Sequence, residues 1–154
     1  MEAVLSEDAL RRWGRRVGAE ARTPLVIALR GDLGAGKSTL ARAVAQGAGV
    51  EGDVPSPTFN LVFRYDTPGG VQVQHLDLYR LEQPEEVWEL GWSELGGARD
   101  LVLIEWPQRA EALLPVPRWE VELEEEADPS VRRVAARPVG DPPPLPAFPD
   151  GGAP

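Results

Sequence analysis

The sequence predicts an α/β fold in which a mixed, mostly parallel central sheet with antiparallel hairpins is flanked by helices. Three observations carry that expectation. Two apolar runs, "LVIALR" at 25–30 and "DLVLIEW" at 100–106, are too short for helices and lack polar alternation, the pattern of strands buried on both faces. The first leads directly into a glycine-rich turn followed by a helix-forming stretch. Between the two runs, "TFNLVFRY" and "VQVQHLDLY" alternate with period two on either side of "TPGG", an antiparallel hairpin pattern.

Taken in order, residues 6–21 read as a helix. Ser6 can cap it, Glu7 and Asp8 suit the positive end of its dipole, and Leu10, Trp13 and Val17 form an apolar stripe. Arg11, Arg12, Arg15 and Arg16 cluster on this helix and read most simply as a solvated face. "LVIALR" follows as a buried strand, and residues 37–48 form a second helix, with Leu40, Val44 and Ala48 on one face and Gly49 past its end. After the hairpin, Pro84 starts a short helix that Gly91 stops, and "DLVLIEW" ends its strand on a carboxylate. Pro107 begins another helix toward Leu114. "WEVELEEE" and "SVRRVAARP" alternate as two further strands across the "ADPS" turn. The six acids from Glu120 to Asp128 read as the charged protection of a sheet edge.

The chain of 154 residues fits one domain with one real core, assigned to residues 1–137. Residues 138–154 carry seven prolines and little to bury, so a disordered or extended tail is expected there. No apolar run approaches the ~20 residues that span a bilayer. The N-terminus lacks the basic-then-apolar order of a secretory leader, and the expectation is a cytoplasmic protein. The absence of cysteine excludes disulfides, thiolate zinc sites and cysteine nucleophiles, and a lone histidine, His75, excludes a multi-histidine metal site. A net charge of −9 opposes direct gripping of a polyanion. Any chemistry must come from carboxylates, hydroxyls and Lys37, the one lysine among sixteen basic residues.

That lysine lies in "GDLGAGKSTL". Gly31, four residues, Gly36, Lys37 and Ser38 match the G-x-x-x-x-G-K-[ST] phosphate loop in the strand-to-helix context the motif requires, which makes the fold a P-loop NTPase. Across Gly31, Gly34, Ala35 and Gly36 the backbone can turn tightly and aim successive N–H groups at the β-phosphate, with the helix dipole beneath. Lys37 reaches the β and γ oxygens, Ser38 supplies a hydroxyl to Mg²⁺, and Thr39 meets the α-phosphate. Hydrolysis further needs a carboxylate in the Mg²⁺ shell and a group that orients water. Glu105, at the end of "LVLIE", is a candidate to meet Mg²⁺ directly or through water, or else a solvent-facing acid. Asp77, among apolar neighbours in "HLDLYRL", is the second candidate, or else a structural partner for Arg80. His75 beside it reads as structural or as a contact to a switch or partner.

"GDLGAGKST", "SPTFNLV" at 56–62, "HLDLYRL" at 75–81, "WELG" at 88–91 and "IEWP" at 104–107, in this order, resemble the bacterial TsaE (formerly YjeE) family of tRNA threonylcarbamoyladenosine biosynthesis ATPases. The resemblance covers nearly everything before the proline-rich tail. It implies a small ATP- and Mg²⁺-dependent enzyme that acts with TsaB- and TsaD-like proteins in installing threonylcarbamoyl on the adenosine beside the anticodon, position 37, of ANN-decoding tRNAs. It touches tRNA only through the complex and has no membrane role. Residue by residue it assigns Lys37 to phosphate, Ser38 and Glu105 to Mg²⁺, and Asp77 to the water-orienting, catalytic carboxylate. It also implies that Ser56, Pro57 and Thr58 lie near the γ-phosphate in a nucleotide-responsive switch, and that Trp106 lies beside the nucleotide or a partner, where packing alone would place it in the core. The family more often has threonine where Ser38 stands and glutamate where Gln108 stands. Two other readings use the same residues: a small-molecule kinase, for which residues 82–99 offer only Arg99 as a lid arginine, and a nucleotide-gated binding module.

Overall fold

Ser6 ends the first strand and starts the first helix. In the computed structural model, which describes residues 1–54 and 61–149, β1 (Glu2–Ser6) runs into α1 (Glu7–Glu20). There Ser6 Oγ accepts the Ala9 N–H at 3.1 Å and satisfies one orphan donor of the first turn. β2 (Leu25–Arg30), α2 (Lys37–Gly47), β3 (Val62–Asp66), β4 (Gln72–Asp77), β5 (Asp100–Glu105), β6 (Arg118–Glu125) and β7 (Val131–Val139) follow. Short 3-10 segments occupy Pro84–Leu90, Trp92–Glu94 and Pro107–Leu113.

The seven strands form one sheet in the order β1-β7-β6-β2-β5-β4-β3. Its centre, β6-β2-β5-β4, is parallel, and the antiparallel hairpin partners β3 and β7, with β1 beyond β7, extend it on both sides. Period two along the central strands splits the core in two. Leu25, Ile27, Leu29, Leu101 and Leu103 face α1 and α2, whereas Val26, Val102 and Ile104 face a second cluster closed by Val87, Trp92 and Ala110 of the 3-10 segments and by Leu114 just past the last of them. Covered on both faces, β2 and β5 need apolar residues at every position, which is why neither alternates. Helices α1 and α2 touch backbone to backbone: a Cβ on Gly18 would stand 2.0 Å from the Val44 carbonyl oxygen.

Three expectations require correction. The acidic run does not protect an edge, because β6 lies between β2 and β7. Glu120 is 5% exposed and paired with Arg30 at 2.7 Å, with Arg118 at 3.6 Å also in reach. The segment after Pro107 is 3-10 rather than a regular helix, broken at Ala110 (φ −138°). The proline-rich segment has something to bury. β7 runs on to Val139, Leu145 and Phe148 pack on the α1 side of the core, and Phe148 meets the Trp13 ring at 4.6 Å. Carbonyls of Pro146 and Pro143 accept the indole N–H groups of Trp13 and Trp119 at 3.0 and 2.7 Å. Prolines lack N–H groups but keep their carbonyls, so a proline-rich strap can satisfy buried indoles.

Candidate functional site

Parallel register brings the site together. Leu29 of β2 is the partner of Glu105 of β5, and Glu105 is the partner of Asp77 of β4, so the three strands end in one row. From the end of β2 the chain passes through the glycine loop into α2. Gly31 (φ 151°) crosses so close to β6 that a Cβ would stand 2.6 Å from the Leu123 carbonyl oxygen, and Gly36 takes φ 109° as the residue preceding α2. Arg132 of β7 braces the loop from outside, donating from Nε to Ala35 O at 3.2 Å and from Nη2 to Gly34 O at 3.3 Å.

Lys37, 5% exposed, donates from Nζ to the carbonyls of Gly31 and Asp32, the latter at 2.9 Å. An ammonium has three donors, so one remains for a phosphate oxygen. The Trp106 ring lies 4.1 Å from Nζ, in cation–π contact. Burial holds the lysine below its usual range, and the charges of Glu105, Asp77 and Asp32 oppose that shift. Trp106 itself takes left-handed backbone angles (φ 56°, ψ 49°) at the end of β5, which turns its ring toward the loop, where it meets the Tyr79 ring at 4.9 Å. Arg109 approaches the Tyr79 ring from 5.6 Å.

The carboxylates differ in environment. Glu105, 2% exposed, accepts the Ser38 hydroxyl on Oε1 at 3.0 Å and has His75 Nε2 2.6 Å from Oε2. Asp77 accepts the Tyr79 N–H on Oδ1 at 3.0 Å. Burial pushes the Asp77 carboxyl above its ordinary value, the charge of Glu105 pushes the same way, and the Tyr79 N–H, His75 and Lys37 pull against them.

Lys37, Ser38, Thr39, Asp77, Glu105 and Trp106 therefore line one cleft together with Gly34 and Gly36. Ala35 is buried beneath the loop and faces a neighbouring cleft. Ser56 and Thr58 lie outside the described residues. Tyr79, Arg132 and the bond between His75 and Glu105 were not anticipated. For His75 a signal existed, since positions 75 and 77 share a strand face.

The donor set suits magnesium. Ser38 Oγ and Glu105 Oε1 stand 3.0 Å apart, about the edge of an octahedron with bonds of ~2.1 Å. Among the described residues no cluster of three or more His, Asp or Glu side chains could cage a metal alone. Phosphate and water would complete the shell, as is usual for this ion.

A strand, glycine loop and helix of this kind on a central parallel sheet, with carboxylates on the adjoining strand ends, define a P-loop nucleotide-binding α/β protein. The family model described as threonylcarbamoyl adenosine biosynthesis protein TsaE matches residues 4–134, and the chain belongs to that family. A tRNA threonylcarbamoyladenosine biosynthesis protein TsaE from Haemophilus influenzae is 43% identical over 91 residues, which is 59% of this chain and 57% of that relative. The protein of the same name from Rickettsia bellii is 40% identical over 120 residues, 77% of this chain and 81% of the relative. Among solved structures, Bacillus subtilis YdiB superposes with a TM-score of 0.72 at 25% identity, covering 91% of this chain and 86% of that one. No helix among the described residues is long and apolar enough to cross a membrane.

Proposed function

We propose that this protein is a cytoplasmic, Mg²⁺-dependent P-loop ATPase of tRNA threonylcarbamoyladenosine biosynthesis. It hydrolyses ATP when docked on TsaB- and TsaD-like proteins, resets that complex between turnovers, and meets tRNA only through it. The observation that carries the reading is the convergence of Lys37, Ser38, Glu105 and Asp77 on one cleft, in a chain belonging to the TsaE family.

In this reading the loop amides of Gly34 to Ser38 cradle the β-phosphate and the α2 dipole adds to their field. The free donor of Lys37 spans the β and γ oxygens while its two carbonyl bonds hold the ammonium in place. Thr39 meets the α-phosphate. Ser38 and Glu105 would hold magnesium, which when bound neutralises charge on the β and γ oxygens. Asp77 orients a water for in-line attack and accepts its proton, Oδ1 being fixed by the Tyr79 N–H. Trp106 covers the lysine and keeps water from its side.

The test is ATP turnover with and without TsaB- and TsaD-like proteins. Stimulation by the pair, with labelled γ-phosphate released to water, supports the reading. No stimulation contradicts it, and label on a small-molecule acceptor would mark a kinase.

A further inference from the structure

Glu105 is gripped twice. Ser38 occupies Oε1, and on the far side His75 Nε2 lies 2.6 Å from Oε2, with both side chains of this second pair sealed from solvent at 0% and 2% exposure. His75 stands two residues before Asp77 on β4, and its register partner on β5 is Leu103, so it reaches diagonally along the shared sheet face to the strand-end carboxylate. Water cannot enter to replace it. Nε2–H donates to Oε2 whether the ring is neutral or protonated, and Nδ1 has no partner among the described residues. A glutamate at a strand end has three side-chain torsions. With Oε2 tied back to β4, the carboxylate plane is set and Oε1 is turned toward the N-terminus of α2.

We propose that His75 is a positioning residue for Glu105. Its hydrogen bond to Oε2 holds Oε1 beside Ser38 Oγ, so the two oxygens stand ready as adjacent ligands before Mg·ATP arrives. The inference rests on reading Glu105 as the magnesium-side carboxylate. Groups that orient metal ligands from behind commonly govern affinity by 10- to 100-fold. The effect belongs to the metal: the triphosphate is held by the loop amides and Lys37, neither of which His75 contacts.

The experiment is calorimetric titration of the full chain with ATP, once with Mg²⁺ and once with EDTA, in His75→Gln, His75→Asn, His75→Leu and Glu105→Gln. Glutamine can place an N–H near the position of histidine Nε2; asparagine is too short and leucine has no donor. The expected result is that His75→Leu and His75→Asn lose about 10- to 100-fold of the Mg²⁺-dependent gain in ATP affinity. Their EDTA values stay within about two-fold of the parent, and His75→Gln recovers most of the gain. Should leucine destabilise the fold, the Gln–Asn pair decides alone. Equal Mg²⁺ gains in all three His75 variants, or equal weakening with and without Mg²⁺, would overturn the proposal. An undiminished Mg²⁺ gain in Glu105→Gln would instead overturn the reading of Glu105 on which it rests.

Discussion

Asp77 and Glu105 are register partners at the ends of the adjacent parallel strands β4 and β5, yet their surroundings separate them. Glu105 is bound by Ser38 and His75, whereas Asp77 takes one backbone N–H and is pushed toward its protonated form by burial and by Glu105 itself. Two neighbouring carboxylates in different surroundings suit two tasks, one that is held in place and one that takes up a proton.

Asp77→Asn should lower partner-stimulated kcat by about 10²- to 10⁴-fold, the range for loss of a positioned base, with Mg·ATP affinity changed little. Single-turnover hydrolysis alongside equilibrium nucleotide binding separates the two quantities. A parallel loss of both would place Asp77 in binding rather than in chemistry.

The same substitution should stabilise the fold at neutral pH. The folded state raises the Asp77 value, so its contribution is fully favourable below the ordinary aspartate value of ~3.9 and is lost as pH rises through the raised folded value. Asparagine does not ionise. The melting temperature of Asp77→Asn relative to the parent should therefore climb as pH rises from about 4 and level off above the folded value. An advantage that instead shrinks with rising pH would contradict this environment.

Gly18→Ala should destabilise although alanine favours helices by about 1 kcal/mol over glycine. The new Cβ would stand 2.0 Å from the Val44 carbonyl oxygen and 2.6 Å from the Ala48 nitrogen, both backbone atoms that cannot rotate away. Overpacking of this kind costs about 1–3 kcal/mol or more, and urea unfolding should show the midpoint moving down.

Removal of residues 141–154 should lower the melting temperature by about 2–8 °C, from a loss of about 1–2 kcal/mol. It exposes Trp13, now 1% exposed, and exchanges two indole N–H bonds to proline carbonyls for bonds to water. Mg·ATP binding should persist, since these contacts lie at α1 and β6 rather than at the loop.

How far the sequence reveals this molecule depends on the range of the interaction involved. The strand, glycine loop and helix around Lys37 are local, and period two marks the hairpin of β3 and β4. Sheet order is non-local. Nothing in "WEVELEEE" says that β7 and β1 stack beyond it, so the same charges suit an edge strand and an interior one, and Glu120 pairs with Arg30 across the parallel contact with β2. β1 was missed because "EAVLS" is five residues long and depends on β7, at the other end of the chain, for its pairing. Among the site residues, Lys37 and Ser38 are written in a motif and Asp77 and Glu105 at strand ends. Their meeting depends on β2, β5 and β4 being neighbours, and the His75–Glu105 bond on the register of two strands.

Every role proposed for this site requires that the amides of the loop and the Lys37 ammonium hold a triphosphate. Calorimetry of the full chain with Mg·ATP tests it most directly, comparing the parent with Lys37→Ala. The account predicts one-to-one uptake by the parent, weakened by about 10- to 100-fold in the variant, in line with the loss of a charge-assisted bond of about 1.5–3 kcal/mol, while circular dichroism stays unchanged. No uptake by the parent, or equal uptake by both proteins, would contradict it.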